Sequence, residues 1–138
     1  MDIKYTAEAT SAGDARNGHV RSSDGIIDQD LKMPKEMGGP GGATNPEELF
    51  AAGYAACFHQ ALKLAAGEEK VDAGKSSIDA QVGIGPEGES FGLQVWLTVN
   101  LPGADQATAD KLAKRAHELC PYSKATRGNV EVSVSAAV

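Results

Sequence analysis

Alternating apolar and polar positions predict most of the six β-strands expected along this chain. The clearest alternation covers residues 91–101, where one face is formed by Phe91, Leu93, Val95, Leu97, Val99 and Leu101. The same two-residue period predicts strands over residues 3–9, 77–85 and 130–136, and two short strands are expected after turns, over residues 19–22 and 26–31. Asn17-Gly18 stands between the first two strands, and this dipeptide is typical of tight hairpin turns. We therefore expect the first two strands to pair as a hairpin.

A helical pattern covers residues 46–66 and begins with strong start signals. Asn45 is a good N-cap, Pro46 falls at the first helical position, and Glu48 occupies the carboxylate position of a capping box. The preceding segment, residues 33–44, holds two prolines and four glycines, which predicts a loop. The chain is therefore expected to pass from a flexible loop directly into its central helix.

The middle of this central helix, residues 49–58, is apolar on every side. A helix without a polar face must be buried all round. Only the predicted short strands and one other helix are available to cover it, and a second copy of the chain would supply the missing cover. We therefore expect a homodimer whose central helices lie near the interface.

A second helix is predicted over residues 105–119, where apolar residues recur at helical spacing opposite lysine and aspartate. Cys120 follows, and Pro121 prevents the helix from continuing smoothly. Residues 122–128 are expected to be irregular. The resulting order βββ–α–ββ–α–β indicates an α+β fold, and the length suits one domain over residues 1–138.

Charge and cysteine content narrow the range of functions. The net charge of −6 argues against nucleic acid and acidic membrane surfaces as partners. The chain has no apolar run long enough to span a membrane, and its start lacks the basic and apolar regions of a signal peptide. These features predict a cytoplasmic protein. In that compartment, two cysteines are more often catalytic or redox-active than a structural staple.

Cys57 is the first candidate for chemistry, because it lies at the centre of the apolar helix. It can be read as a small buried hydrophobe or as a reactive thiol. Cys120 could form a disulfide with it if their Cα atoms lie within about 7 Å. A reactive thiol also needs a nearby cation, and the candidates are Arg16, Arg21 and Arg127.

Metal binding is a rival chemistry for the same residues. Two cysteines and two histidines, Cys57, His59, His117 and Cys120, could be offered to zinc. However, positions two apart on a helix point to opposite sides, so Cys57 and His59 cannot easily chelate one ion. The chain also lacks a phosphate-binding loop and a serine nucleophile motif. We therefore expect neither a metal nor a cofactor.

Two long motifs, each with one cysteine, resemble a known family. The segments TNPEELFAAGYAACF (44–58) and CPYSKATRGNVEV (120–132) resemble the organic hydroperoxide resistance proteins, the Ohr branch of the OsmC superfamily. The resemblance extends over nearly the whole chain and includes the GGPGG loop at residues 38–42. It implies the family's fold, in which two chains form an intertwined homodimer around a buried central helix.

The resemblance also implies an activity and its residues. Family members are thiol peroxidases that reduce organic and fatty-acid hydroperoxides to alcohols and protect against oxidative stress. Cys57 matches the peroxidatic cysteine and Cys120 the resolving one, so the implied cycle passes through a Cys57 sulfenic acid and a Cys57–Cys120 disulfide. Arg16 matches the active-site arginine, with Arg21 as a second candidate, and Glu47 matches its partner. The implied reductant is a lipoylated protein or dihydrolipoamide.

The spacing of Glu47 and Cys57 carries a further expectation about the dimer. Ten residues of helix separate them by about 15 Å along the axis, so an arginine held by Glu47 could hardly touch Cys57 of the same chain. If two central helices pack antiparallel, Glu47 and Arg16 of one chain would reach Cys57 of the other. The alternative function from another class is a non-catalytic redox sensor or binding module whose disulfide changes its partners.

Overall fold

The strands form two three-stranded sheets in a computed structural model that describes all residues from Met1 to Val138. The chain divides into two compact units, residues 1–49 and residues 50–138. The element order is βββ–α–ββ–α–α–β, which confirms the predicted α+β class and adds one short helix. None of the helices is both long enough and apolar enough to cross a membrane.

The first unit contains an antiparallel sheet in the order β1-β2-β3. Its strands are β1 (Ala9–Ala12), β2 (His19–Ser22) and β3 (Asp28–Asp30). The predicted hairpin of the first two strands is confirmed, since Ala9 lies opposite Ser22 and Ala12 opposite His19. The imidazole of His19 bonds to both Asp28 and Asp30, which ties β2 to β3.

The first strand was predicted over residues 3–9, and that prediction is wrong. Residues 1–8 are exposed and form no strand, and β1 begins only at Ala9. The reason lies in the length of its partner, because all four residues of β2 are already paired with Ala9–Ala12. Ile3 and Tyr5, which suggested a buried face, are 66% and 79% exposed.

The loop before the central helix is confirmed, with one short 3₁₀ turn at Lys35–Met37. Gly39 is required here by close approach, because a Cβ at this position would collide with the carbonyl oxygen of Met33. The helix α1 then runs over Pro46–Glu68, two residues beyond the predicted end. Its N-cap is confirmed, since the side chain of Asn45 accepts a hydrogen bond from the Glu48 N–H at 2.9 Å.

Burial along α1 is uneven in the single chain. The fully covered positions recur at helical spacing and are Tyr54, Phe58, Ala61, Leu62, Ala65 and Ala66. Ala52 and Ala56 lie on the exposed side, and Leu64 is 55% exposed. An apolar stripe of this helix is therefore left uncovered by its own chain.

The second unit holds the longer sheet, in the order β4-β5-β6. Its strands are β4 (Ser77–Glu87), β5 (Ser90–Asn100) and β6 (Glu131–Ala137). β4 and β5 form an antiparallel hairpin, and β6 joins β5 in parallel. The alternation in β5 is confirmed, since Val95, Leu97 and Val99 are buried, whereas Phe91 near the hairpin tip is 58% exposed.

The remaining helices are α2 (Gln106–Leu119) and α3 (Pro121–Thr126). α2 is amphipathic as predicted, because its buried positions form one face: Ala109, Leu112, Ala113 and Ala116. The prediction that residues 122–128 are irregular is wrong, since α3 occupies most of that segment. Pro121 ends α2 but also starts α3, because its fixed φ and missing N–H suit the first position of a helix.

Candidate active site

The two cysteines approach each other in the second unit. Cys57 projects from α1, and Cys120 lies at the break between α2 and α3. Their Sγ atoms are 3.7 Å apart and both thiols are free. A disulfide bond is about 2.05 Å long, so the two sulfurs need to approach by only about 1.7 Å to bond. Cys57 is half-buried, whereas Cys120 is only 1% exposed.

The position of Cys120 is set by the backbone on both of its sides. Its N–H donates to the carbonyl of Ala116 at 2.8 Å, and its own carbonyl accepts from the Lys124 N–H at 3.0 Å. Its sulfur acts as the N-cap of α3 and accepts a hydrogen bond from the Ser123 N–H at 3.5 Å. The thiol is therefore held between two helices rather than on a loop.

The surroundings of Cys57 favour the protonated thiol. Burial raises the pKa of Cys57, and the neighbouring Cys120 thiol raises it further. The backbone N–H of Tyr122 acts in the opposite direction, because it donates a hydrogen bond to the sulfur and lowers the pKa. Because the net shift is upward, a nucleophilic role for Cys57 requires a cation that favours the thiolate.

A group of buried hydroxyls surrounds the start of α3. The phenol oxygen of Tyr54 lies 2.8 Å from Ser123 Oγ and 3.1 Å from Thr126 Oγ1. Ser123 Oγ also lies 2.7 Å from Nδ1 of His117. Tyr54 and Ser123 are wholly buried. Sequence reasoning missed this network, because it considered His117 only as a zinc ligand. The sequence signal that could have indicated the network is the histidine and the serine on either side of Cys120-Pro121.

Arg16 and Glu47 form a bidentate ion pair in the first unit. The two guanidinium nitrogens donate to the two carboxylate oxygens at 2.9 and 3.0 Å. The hydrogen bond from Arg16 lowers the pKa of Glu47, so the carboxylate stays ionised. Arg16 lies in the 3₁₀ turn Ala15–Asn17 between β1 and β2. Because a partly exposed pair stabilises little, its main effect is to fix the direction of the guanidinium.

The other candidate arginines have different surroundings. Arg21 lies at an exposed position of β2. Arg127 donates from Nη2 to the carbonyl of His117 at 2.7 Å and thereby ties the end of α3 to the end of α2. Of the three arginines, Arg16 is the one that is paired with Glu47.

The proposed zinc ligands do not form one cluster. His59 bonds through Nε2 to Ser76 Oγ at 3.0 Å, and His117 bonds through Nδ1 to Ser123. No group of three or more histidine, cysteine, aspartate or glutamate side chains is arranged to hold a metal ion. His59 instead fastens α1 to the segment that leads into β4.

Comparisons with known proteins point to one family. Residues 39–135 match the family model described as OsmC-like protein. The chain is 49% identical over 137 residues to an organic hydroperoxide resistance protein of Xanthomonas axonopodis pv. citri, which covers 98% of this chain and 96% of that protein. It is 46% identical over 134 residues to the organic hydroperoxide resistance protein OhrB of Bacillus subtilis, with coverage of 94% and 96%.

A solved structure supports the same grouping. The crystal structure of an organic hydroperoxide resistance protein OsmC from Legionella pneumophila aligns with this chain at a TM-score of 0.94. The two sequences are 46% identical, and the alignment covers 99% of this chain and 100% of that one. The similarity therefore includes both units of the chain and both cysteine segments.

The contacts of Cys57 predict how its titration responds to loss of Cys120. Cys120→Ala removes the thiol that raises the pKa of Cys57, so the pH midpoint for alkylation of Cys57 should fall. The measurement is the pH dependence of iodoacetamide labelling, read by mass spectrometry of the Cys57 peptide. Cys57→Ser, in which only Cys120 can react, is the control. An unchanged or higher midpoint for Cys57 would show that Cys120 does not disfavour the thiolate.

Proposed function

The chain belongs to the OsmC family, in the branch of the organic hydroperoxide resistance proteins, and on this premise we propose that it is a cysteine-based peroxidase. It reduces organic hydroperoxides to alcohols and takes part in the cell's resistance to oxidative stress. The observation that carries the proposal is the 3.7 Å separation of the Cys57 and Cys120 sulfurs within one chain. We propose a cytoplasmic location, where cysteines are kept reduced between turnovers.

In the first step, the Cys57 thiolate attacks the distal oxygen of the hydroperoxide. The O–O bond breaks, the alkoxide takes a proton and leaves as an alcohol, and the sulfur is oxidised to a sulfenic acid. Arg16 supplies the cation that lowers the pKa of Cys57 and polarises the peroxide. Glu47 holds this guanidinium by the bidentate pair. The raised pKa of Cys57 in its buried setting is the reason that such a cation is needed.

In the second step, Cys120 resolves the sulfenic acid. The Cys120 sulfur lies 3.7 Å from the Cys57 sulfur, close enough for attack on the sulfenic acid from the side opposite the departing hydroxide. The Cys120 sulfur bonds to the Cys57 sulfur, the S–O bond breaks, and the departing hydroxide takes the thiol proton and forms water. A dithiol reductant, which we propose to be a lipoylated protein or dihydrolipoamide, then opens the disulfide by thiol exchange.

The surface beside Cys57 suits an apolar substrate. The ring of Tyr122 lies over Gly53 of α1 and packs edge-on against Tyr54, with ring centroids 5.8 Å apart. Phe50 adds a second edge-on contact to Tyr54, at 6.0 Å. Tyr122 is 44% exposed, so an alkyl chain bound here would cover apolar surface that water now contacts. This argument favours alkyl and fatty-acid hydroperoxides over hydrogen peroxide.

The proposed active form is a homodimer. Ala52, Ala56 and Leu64 leave an apolar stripe of α1 exposed in the single chain, and a second α1 packed antiparallel would cover it. Glu47 and Cys57 lie in the same unbroken helix, and ten residues of helix span about 15 Å. We therefore propose that each active site takes Cys57 and Cys120 from one chain and Arg16 with Glu47 from the other.

The alternative function is a non-catalytic redox sensor or binding module. A sensor would use the same pair of thiols, but each chain would be oxidised once and then reduced only slowly. The rate of turnover separates this function from the peroxidase.

The decisive test is consumption of hydroperoxide with dihydrolipoamide as the reductant. We expect many turnovers per chain, with an alkyl hydroperoxide reduced faster than hydrogen peroxide because of the apolar surface beside Cys57. Cys57→Ser should abolish the activity, since no other residue offers the nucleophile. A single turnover by the unaltered protein would favour the sensor, and substantial activity of the Cys57→Ser variant would exclude Cys57 as the nucleophile.

Replacing the resolving cysteine separates the two steps. Cys120→Ser should react once with peroxide at an intact Cys57 and then stop as sulfenic acid, which excess peroxide converts to sulfinic acid. Mass spectrometry of the peroxide-treated variant should therefore find added oxygen atoms on Cys57. The unaltered protein should show a Cys57–Cys120 bridge within one chain. Bridges only between chains would contradict the intramolecular cycle.

A mixed dimer tests whether the sites are shared between chains. In a dimer of one Cys57→Ser chain and one Glu47→Ala chain, the shared arrangement leaves one site with both changes and the other with none. About half of the activity of the unaltered dimer should then survive, because one of the two sites is complete. The two pure variant dimers are the controls and should both be inactive. Activity near zero in the mixed dimer would show that each chain builds its own site.

A further inference from the structure

Hydrogen-bond donors around the start of α3 can be assigned by counting protons. The Thr126 hydroxyl donates to the carbonyl of Ser123 at 3.1 Å. When the Thr126 proton is used in this bond, Tyr54 is the donor in its bond to Thr126, because a hydroxyl has only one proton. The Tyr54 proton is then used, so Ser123 must be the donor in the bond between Ser123 and Tyr54.

With this order of donors, the same count gives the tautomer of His117. The single proton of Ser123 Oγ points to Tyr54, so Ser123 can only accept from His117, and Nδ1 must carry a hydrogen. The donors therefore run in one direction, from His117 through Ser123 and Tyr54 to Thr126. No buried side-chain nitrogen or oxygen lacks a hydrogen-bond partner. Within this order of donors, the Nε2–H tautomer of neutral His117 would leave two acceptors facing each other at 2.7 Å.

This hydrogen-bond chain joins the two elements that carry the redox thiols. Tyr54 lies on α1, three residues before Cys57, so both side chains leave the same side of the helix. Ser123 lies in the first turn of α3, and its N–H donates to the sulfur of Cys120. His117 lies in the last turn of α2, just before Cys120. The position of Ser123 thus determines where the Cys120 sulfur is held relative to α1.

We propose that His117 is a positioning residue for the resolving thiol, which through the Ser123 hydroxyl keeps the Cys120 sulfur within bonding reach of Cys57. The inference rests on the proposed function, because it assumes that the Cys57–Cys120 disulfide forms. When the disulfide forms, the Cys120 sulfur moves toward Cys57 and weakens its bond to the Ser123 N–H. The side chains of His117 and Tyr54 then hold Ser123 and the start of α3 in place.

The positioning does not depend on the charge of the imidazole. Burial and the nearby Arg127 lower the pKa of His117, while Glu118 opposes them, so the neutral ring is favoured. Protonation would add a hydrogen at Nε2 and leave the Nδ1–H donor unchanged. The hydrogen-bond chain is therefore the same on both sides of the imidazole pKa, and His117 acts here as a fixed donor.

The disulfide equilibrium against dithiothreitol tests the role of His117 without any peroxide. His117→Leu removes the donor, so the equilibrium constant for disulfide formation should fall about fivefold, the effect of one hydrogen bond. His117→Asn keeps an N–H near the position of Nδ1 and should restore the unaltered value. The matched control is His59→Leu, which breaks another histidine–serine bond on α1 and should leave the equilibrium unchanged.

Ser123→Ala is the second test variant in the dithiothreitol experiment. It removes the hydroxyl but keeps the backbone N–H that donates to the Cys120 sulfur. It should lower the equilibrium constant at least as much as His117→Leu, and the double variant should fall no further, because both act through one chain of bonds. Equal effects of His117→Leu and His59→Leu, or additive effects in the double variant, would overturn the inference. If the unaltered protein formed no intramolecular disulfide, the proposed function itself would fail.

The tautomer offers a measurement that needs no variant and survives any failure of a variant to fold. Side-chain ¹⁵N resonances of His117 in the reduced protein should show the Nδ1–H tautomer above the imidazole pKa. The resonances should show the same tautomer after the two thiols are oxidised. A neutral His117 protonated at Nε2 would reverse the donor order and refute the proposed hydrogen-bond chain.

Discussion

The break between α2 and α3 is the constraint on which the approach of Cys57 and Cys120 depends. Proline has no N–H, so Pro121 cannot continue the hydrogen-bond pattern of α2, but it suits the first position of a new helix. The residue before it must then be extended, and Cys120 has φ −68° and ψ 122°. This conformation aims its sulfur at the free N–H groups of α3 and toward Cys57. One proline therefore fixes both the end of a helix and the direction of a thiol.

The burial of Cys57 disfavours its thiolate, and another residue of the proposed site must compensate for this effect. Burial raises the pKa of Cys57 and favours its protonated form. Reactivity then depends on a cation with a defined direction. The Arg16–Glu47 pair has such a direction, because two parallel hydrogen bonds hold the guanidinium plane. A lysine could supply the charge at this place, but its single point of contact would not fix the orientation.

Sequence reasoning predicted the parts of the fold that depend on local signals. Asn45 and Pro46 mark the start of α1, and the apolar alternation of β5 marks its buried face. The wrong or missing predictions concern segments whose structure depends on residues far away in the sequence. The first strand was placed too early because the short length of β2 limits its pairing. The network around Ser123 was missed because Tyr54 and Ser123 are 69 residues apart and meet only through packing.

The unequal burial of the two sulfurs determines which of them a reductant attacks in the proposed cycle. Cys120 is 1% exposed and Cys57 is half-buried, so Cys57 is the more accessible of the two sulfurs. A reductant that opens the disulfide would therefore attack Cys57, and Cys120 would leave as a thiolate. The departing sulfur then returns to the Ser123 N–H, which donates a hydrogen bond to it in the reduced protein. The backbone group that holds the resolving thiol before oxidation thus also receives it after reduction.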